Sequence, residues 1–231
     1  MNKEYLKNPP KKYRPAPFWS WNEKLDVNET VNQVDLMEKA GLGGFFMHAR
    51  GGLQTEYLHK EWFDNISAAS KKANETGMLA WGYDENGWPS GFGCGAVNGL
   101  GVEYQQKYLR CEETDTEKTT DTTIANINVN GKNFHFYYEV NPFYVDVLNE
   151  KVIAEFLKST HEKYIDALGK SLGGMIGFFT DEPQVSRNGY PWSFILDEEY
   201  KKIYGESLIR NLPALFAETD GYTIVRYRYW K

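Results

Sequence analysis

Short apolar segments alternate with amphipathic helical segments in the N-terminal part of the chain, and this alternation restricts the fold more than any other feature. Residues 18–21, 44–49 and 78–83 have the apolar character of buried strands. Between them, apolar side chains recur at helical spacing, at Val27, Val31, Val34 and Met37 and then at Trp62, Ile66, Ala69 and Ala73. Because parallel strands need a long covering crossover, the pattern predicts a parallel α/β sheet.

Local signals indicate where the helices begin and end. Asp26 precedes the first helical segment and Glu29 follows three positions later, which is typical of a helix N-terminus. Gly41 and Gly77 follow the two helical segments, and glycine commonly ends a helix in the left-handed conformation. We therefore expect a helix that starts after Asp26, and a helix end before each glycine.

The alternation stops near residue 102. Within 103–140, two strand-like segments meet across Asn130-Gly131, a strong hairpin signal. A helix over 149–169, a strand over 175–179 and a helix over 197–204 are predicted after it. The predicted organisation is the first half of a partial barrel over 1–102, a β insertion over 103–140, and a continuation of the partial barrel over 141–231.

The number of βα units suggests a barrel that is only partly present. A TIM-type barrel has eight units in about 250 residues, whereas this chain has 231 residues and supplies four. The predicted fold class is α/β: a TIM-type (β/α) barrel, apparently only its first four βα units, with a small antiparallel β insertion after strand three. Because a half barrel leaves strand edges unpaired, we also expect a homo-oligomer formed through the exposed barrel edges.

Composition narrows the class of partner. The 26 Lys and Arg against 32 Asp and Glu give a net charge of -6, which argues against nucleic acid as a partner. No segment resembles a membrane span or a signal peptide, so no membrane partner and a cytoplasmic location are expected. Aromatic residues make up 16% of the chain. Such rings suit a carbohydrate, which has apolar faces and hydroxyl groups, although a barrel core also buries many aromatics.

Polar and aromatic side chains follow each of the four parallel strands predicted here. In a parallel barrel the carboxyl ends of the strands carry the active site. The candidate substrate-binding residues are Trp19, Trp21 and Asn22 at the end of strand one, His48 and Arg50 at the end of strand two, and Asp84, Glu85, Asn86 and Trp88 at the end of strand three. The candidate catalytic residues are Asp181 and Glu182, after strand four.

Two of these groups have a specific chemical rationale. A carboxylate at the end of an apolar strand, such as Glu182, is partly desolvated, which raises its pKa and suits a general acid. The alternative is a capping or ion-paired Asp-Glu before Pro183. The loop over 83–91 offers carboxylates, an amide and an indole for sugar hydroxyls and ring faces, and its oxygen atoms also suit Ca²⁺. The alternative for this loop is a turn-rich surface segment, and for His48 it is a structural role.

Two other motifs lack residues that their chemistry requires. The glycines over 91–95 do not open a helix after the first strand, so the dinucleotide fingerprint is missing. His161-Glu162 starts like a zinc-protease helix, but Ile165 stands where the second histidine belongs. Neither a nucleotide site nor a zinc site is predicted.

Five segments together resemble the catalytic barrel of glycoside hydrolases of the α-L-rhamnosidase-like family 106 type. They are 17–22 (PFWSWN), 37–44 (MEKAGLGG), 48–50 (HAR), 83–91 (YDENGWPSG) and 179–183 (FTDEP). The resemblance implies a TIM-type fold, hydrolysis of a terminal sugar with inversion, and a calcium ion that assists in the sugar site. It also places Glu182 at the position of the general acid, with the partner base on a later strand.

The leading hypothesis is a glycoside hydrolase, or the front part of one, that releases a terminal sugar such as α-L-rhamnose by carboxylate acid/base catalysis. The alternative is a non-catalytic carbohydrate-binding or degenerate barrel protein, which would keep the aromatic residues without a working acid and base. A nucleotide-dependent oxidoreductase is disfavoured because the glycine fingerprint fails.

Overall fold

Two four-stranded sheets of different kinds organise the chain, one parallel and one antiparallel. The computed structural model describes residues 3–231. The chain divides into two units, the first formed by residues up to 97 together with 154–183, and the second by 98–153 together with 184–231. The parallel sheet belongs to the first unit and the antiparallel sheet to the second.

The strands and helices have the following bounds. The strands are β1 Phe18–Trp21, β2 Gly44–Ala49, β3 Leu79–Asn86, β4 Gln105–Thr114, β5 Thr123–Val129, β6 Lys132–Val145, β7 Gly177–Phe179 and β8 Tyr190–Trp192. The helices are α1 Lys3–Lys7, α2 Val27–Lys39, α3 Lys60–Thr76, α4 Glu150–Ser159, α5 His161–Leu168, α6 Leu196–Tyr204, α7 Leu208–Asn211, α8 Pro213–Phe216 and α9 Tyr222–Trp230. Within residues 3–231, no helix combines the length and apolar character needed to cross a membrane.

The parallel sheet has the order β1-β2-β3-β7, so the prediction of a parallel α/β sheet is confirmed. The strands pair in register, for example Trp19 with Met47 and Phe45 with Ala80. In the part of the chain that the structure describes, the four strands form an open sheet with β1 and β7 at its edges.

The two faces of the parallel sheet differ, because successive side chains of a strand point to opposite faces. One face packs against the helices in a core that includes Phe45, Met47 and Trp62, all fully buried. The other face carries an aromatic cluster formed by Phe18, Phe46, Trp81, Tyr83 and Phe179, in which neighbouring ring centroids lie 4.8–6.1 Å apart. We call this second surface the aromatic face.

The local helix signals are confirmed. Asp26 caps α2, because its Oδ1 accepts hydrogen bonds from the backbone N–H groups of Asn28 at 2.9 Å and Glu29 at 3.0 Å. Gly77 follows α3 with φ of 71°, in the left-handed region. These features depend only on neighbouring residues, which is why the sequence reveals them.

Removing the Asp26 cap is expected to lower the free energy of unfolding by about 1 kcal/mol in Asp26→Ala, because two helix N–H groups lose their acceptor. Asp26→Asn keeps an acceptor oxygen and is expected to stay close to the parent protein. Urea denaturation of both variants checks this prediction, and equal losses in the two would contradict it.

In the second unit, β5 and β6 form the hairpin that Asn130-Gly131 predicts. Val129 pairs with Lys132, and the two turn residues have φ of 53° and 84°. β4 lies between β6 and β8, giving the sheet order β5-β6-β4-β8. Leu109, Phe136 and Trp192 from this sheet pack with residues of α6 to α9.

The structure divides the C-terminal part of the chain differently from the prediction. Residues 154–183 continue the parallel sheet as far as β7, but 184–231 belong with 98–153. The physical reason is β8, which pairs with β4 at Lys107–Trp192 and Leu109–Tyr190. The helix predicted over 197–204 is present as α6, but it lies in the second unit. The helix predicted over 149–169 is interrupted at Thr160, whose hydroxyl donates to the Phe156 carbonyl at 2.6 Å.

Candidate functional site

The carboxyl ends of neighbouring parallel strands are joined by direct hydrogen bonds. The Arg50 N–H after β2 donates to the carbonyl of Trp21 in β1 at 2.9 Å. His48 Nε2 lies 3.0 Å from the Gly87 carbonyl; since a carbonyl only accepts, this ring nitrogen carries the proton. The ends of β1, β2 and β3 therefore meet in one region, which we call the carboxyl edge of the parallel sheet.

β7 joins the same edge through a reciprocal pair of hydrogen bonds. The Ser90 N–H donates to the Asp181 carbonyl at 2.9 Å, and the Asp181 N–H donates to Ser90 Oγ at 2.9 Å. The predicted residues at the ends of strands two, three and four are thus brought together, as expected for a parallel sheet.

Asp84 lies buried beneath this edge, with 1% of its surface exposed. Its two carboxylate oxygens accept hydrogen bonds from Ser90 Oγ and Thr180 Oγ1, each at 2.5 Å. His161 Nε2 lies 3.6 Å from the Oδ2 atom of Asp84. Burial lowers the pKa of His161, and the Asp84 carboxylate acts in the opposite direction. In this arrangement Asp84 ties β7 to β3; its assignment as a sugar ligand stays a prediction from the sequence.

Three side chains form a second group beside the aromatic face. The Tyr83 hydroxyl donates to Asp181 Oδ2 at 2.9 Å, and the Tyr83 ring stacks on His48 with centroids 3.5 Å apart. Burial lowers the pKa of His48, which favours the neutral ring. Burial, together with the hydrogen bond to Asp181, raises the pKa of Tyr83 well above its usual value. Asp181 is therefore held by a phenol that keeps its proton.

Glu182 follows Asp181 at the end of β7 and is exposed, so the partial desolvation predicted for its carboxylate from the apolar strand is not found. Its φ is 41°, in the left-handed region. That conformation costs a residue with a side chain about 1–2 kcal/mol, and such strained positions cluster at functional sites. The assignment of Asp181 and Glu182 to one catalytic site stays a prediction from the sequence.

Glu85 has no exposed surface, and both of its carboxylate oxygens accept hydrogen bonds from backbone N–H groups. The donors are Asn86 at 2.9 Å, Gly91 at 3.3 Å, Phe92 at 3.0 Å, Gly93 at 2.7 Å and Cys94 at 2.5 Å. Burial raises the pKa of Glu85 and the backbone donors act against that rise. The Glu85 carboxylate is therefore occupied by hydrogen bonds within the loop for which the sequence predicts sugar binding.

The three candidate tryptophans occupy different environments. Trp21 is 3% exposed and packs edge-on against Trp62 in the helix-covered core. Trp19 is half-buried, and its Nε1 donates to Gln33 at 2.9 Å. Trp88, in contrast, is 42% exposed. Of these three rings, Trp88 therefore offers the largest surface to a ligand.

The remaining candidates are polar and reachable from solvent. Asn22 and Arg50 are exposed, and Asn86 is half-buried with its amide directed to the sulfur of Cys94 at 3.2 Å. A cleft of about 160 Å³ lies beside β1 and the start of α2, and Trp19, Trp21, Asn22, Asp26 and Gln33 are among its lining residues.

Sequence reasoning missed several members of this network. Ser90 lies in segment 83–91 together with Asp84, and Thr180 lies in segment 179–183 together with Asp181. Their presence in these two motifs was a usable signal. Tyr83 also precedes Asp84 directly. His161 gave no such signal, because it comes from α5 and meets Asp84 only after the chain has folded.

A calcium ion does not fit the acidic residues at this edge. Within residues 3–231, no three His, Cys, Asp or Glu side chains are grouped so that they could hold a metal ion. The oxygens of Asp84 and Glu85 already accept hydrogen bonds from hydroxyl and N–H donors.

Comparisons with known proteins give few matches. No protein-family model matches the chain, and the comparison with curated proteins found no match. Among solved structures, the chain is similar to a rhamnosidase from Novosphingobium sp. PP1Y, with 25% sequence identity and a TM-score of 0.40. That similarity covers 48% of this chain and 11% of the rhamnosidase, so the chain spans a small part of that protein. At this TM-score the likeness carries no conclusion about fold or activity.

Proposed function

We propose that the carboxyl edge of the parallel sheet binds a terminal sugar, and that Glu182 protonates the glycosidic oxygen as the sugar leaves. The observation that carries this proposal is the strained, exposed Glu182 directly after Asp181, which Tyr83 holds in place. We further propose that the open sheet is the front part of a TIM-type barrel, whose catalytic groups lie at this edge.

Other residues of the carboxyl edge suit the binding part of such a site. The exposed Trp88 ring can stack on the apolar face of a pyranose, and the exposed Asn22 and Arg50 can donate hydrogen bonds to sugar hydroxyls. His48 and Asp181 lie on the same side as the aromatic face and add further polar groups to the proposed sugar site.

Glycoside hydrolysis also needs a second carboxyl group, about 5 to 5.5 Å from the acid in retaining enzymes and about 6.5 to 9.5 Å in inverting ones. The strand-three carboxylates are committed elsewhere, since Asp84 binds two hydroxyls and Glu85 binds its own loop. Asp181 is adjacent to Glu182 and bound to Tyr83, so we propose that it orients the acid. We further propose that a separate carboxylate activates the water that attacks the anomeric carbon, while Glu182 gives its proton to the leaving oxygen.

The engagement of Asp84 and Glu85 also favours a second candidate function. A protein that binds carbohydrate without cleaving it needs the exposed aromatic ring and the polar edge, but no free base. Non-catalytic carbohydrate binding is therefore the alternative proposal.

Sugar release from a panel of aryl glycosides, beginning with the α-L-rhamnoside, tests the proposed reaction. Glu182→Gln keeps the size of the side chain and removes its proton, so we expect release to fall about 10² to 10⁴-fold, while calorimetric affinity for the free sugar is retained. Glu75→Gln, which changes an exposed residue of α3, is the matched control and should release sugar like the parent.

The possible results separate the two functions. Near-parental release by Glu182→Gln would remove Glu182 from the mechanism. Sugar binding without any release by the parent chain would favour the non-catalytic alternative. If the parent neither binds nor cleaves any member of the panel, both proposals fail for those sugars.

A further inference from the structure

Loop 86–94, which carries Trp88, folds back around the carboxylate of the residue that precedes it. Glu85 Oε1 accepts hydrogen bonds from the Asn86 and Cys94 N–H groups, and Oε2 accepts them from Gly91, Phe92 and Gly93. The carboxylate thus joins the first residue of the loop to its last four. Trp88 lies between these two attachment points.

The loop backbone has positive φ angles at three of the residues whose N–H groups face the carboxylate. Gly91, Gly93 and Cys94 have φ of 134°, 56° and 57°. Backbone N–H groups converge on an anion when αR and αL conformations follow one another, and glycine adopts positive φ without strain. A Cβ at Gly93 would also approach Ser159 Oγ at 2.9 Å, so the loop backbone packs closely against Ser159 at this glycine.

The surroundings of the carboxylate are those of an ionised group. The five groups that hydrogen-bond to it are all N–H donors, and a carboxyl proton would need an acceptor in their place. Without the carboxylate, these donors would lose their acceptor in a site shielded from water, which is unfavourable for each of them.

We infer that Glu85 is a positioning residue, whose carboxylate fixes loop 86–94 and so holds Trp88 and Ser90 at the carboxyl edge. Ser90 then bridges the Asp84 carboxylate and the Asp181 backbone. The role of Trp88 as a sugar contact rests on the proposed function. The anchoring of the loop does not, since it follows from the hydrogen bonds alone.

Two substitutions distinguish this role of the carboxylate from a requirement for a side chain of this size. Glu85→Gln keeps the size but points an amide N–H₂ at backbone donors, so one side of the cradle has no acceptor. Glu85→Ala leaves a space of carboxylate size that a formate ion can occupy. Formate is therefore expected to restore the loop in Glu85→Ala and to have no such effect in Glu85→Gln.

Hydrogen exchange of peptides covering 86–94, measured in sodium formate and in sodium chloride of equal ionic strength, is the test. In chloride, both variants should exchange about tenfold faster or more in these peptides than the parent. Formate should return Glu85→Ala towards the parent rate. Glu75→Ala should match the parent in both salts.

Unchanged protection in Glu85→Ala, equal effects of formate on both variants, or no effect of formate would each overturn the inference. If Glu85→Ala is unfolded in chloride, circular dichroism replaces hydrogen exchange, and formate must then restore its folding but not that of Glu85→Gln.

Calorimetry with L-rhamnose adds the functional readout. If the parent binds this sugar, Glu85→Ala should bind it about tenfold more weakly in chloride, and formate should recover the affinity. If the parent does not bind it, the proposed function fails for this sugar, while the formate-dependent protection of loop 86–94 still decides the role of Glu85.

Discussion

Replacing Lys107 by methionine is expected to lower the free energy of unfolding by about 3–5 kcal/mol, because it leaves a buried charge without its partner. Lys107 has no exposed surface, and its Nζ lies 3.4 Å from Asp146 Oδ2. Asp146 is itself 3% exposed. The loss should therefore be far larger than for an ion pair on the surface.

The double variant Lys107→Met with Asp146→Asn is the matched control. It removes both charges, while the Asn oxygen can still accept the hydrogen bond that Ser193 Oγ donates to Asp146 at 2.7 Å. We expect this variant to recover a substantial part of the stability. Urea denaturation of the two single variants and the double variant gives the coupling free energy between Lys107 and Asp146. Additive losses would contradict the predicted recovery.

The pH dependence of the Lys107→Met variant has a definite sign. Burial raises the pKa of Asp146, and Lys107 acts in the opposite direction, so removing Lys107 should raise that pKa further. A carboxyl whose pKa is higher in the folded state than in the unfolded state contributes most at low pH, and the contribution is lost as pH rises through the folded pKa. The destabilisation should therefore shrink as pH falls from neutrality towards about 5, and a constant loss would argue against an unpaired Asp146.

The parts of the fold that depend on neighbouring residues could be predicted from the sequence. β1, β2, the Asp26 cap and the Asn130-Gly131 turn all follow from short-range rules. The partner of residues 190–192 could not be predicted in this way, since β8 has three residues, one of them Pro191, and its pairing with β4 depends on distant chain segments.

In the candidate site, too, some features could be predicted from the sequence and others depend on distant chain segments. The rule that parallel strands end at one edge located Asp84, Glu85 and Asp181 correctly as neighbours of that edge. It could not show which carboxylates accept hydrogen bonds from within the protein. That depends on how loop 86–94 folds back and on α5 bringing His161 to Asp84. Expected roles such as sugar binding by Asp84 and homo-oligomer formation through β1 and β7 stay predictions.

Asp84→Ala is expected to lower the free energy of unfolding by about 3 kcal/mol, since it removes a buried carboxylate that accepts from the buried Ser90 hydroxyl and from the Thr180 hydroxyl. Ser90 Oγ and Thr180 Oγ1 each donate to Asp84 at 2.5 Å, and His161 Nε2 lies 3.6 Å away. Asp84→Asn keeps one acceptor oxygen, and the hydroxyls can rotate to accept from its amide, so a smaller loss is expected.

The matched control is Asp64→Ala, which removes a carboxylate that is paired with Lys60 on the surface of α3. An exposed pair of this kind contributes about 0.3–0.5 kcal/mol, so the contrast with Asp84→Ala should be several-fold in free energy. Urea denaturation gives the two losses, and hydrogen exchange shows where they arise. Because Asp84 ties β7 to β3, the faster exchange in Asp84→Ala should be greatest around 177–181 and Ser90; equal losses in the two variants, or exchange that is unchanged at β7, would show that Asp84 does not hold this edge together.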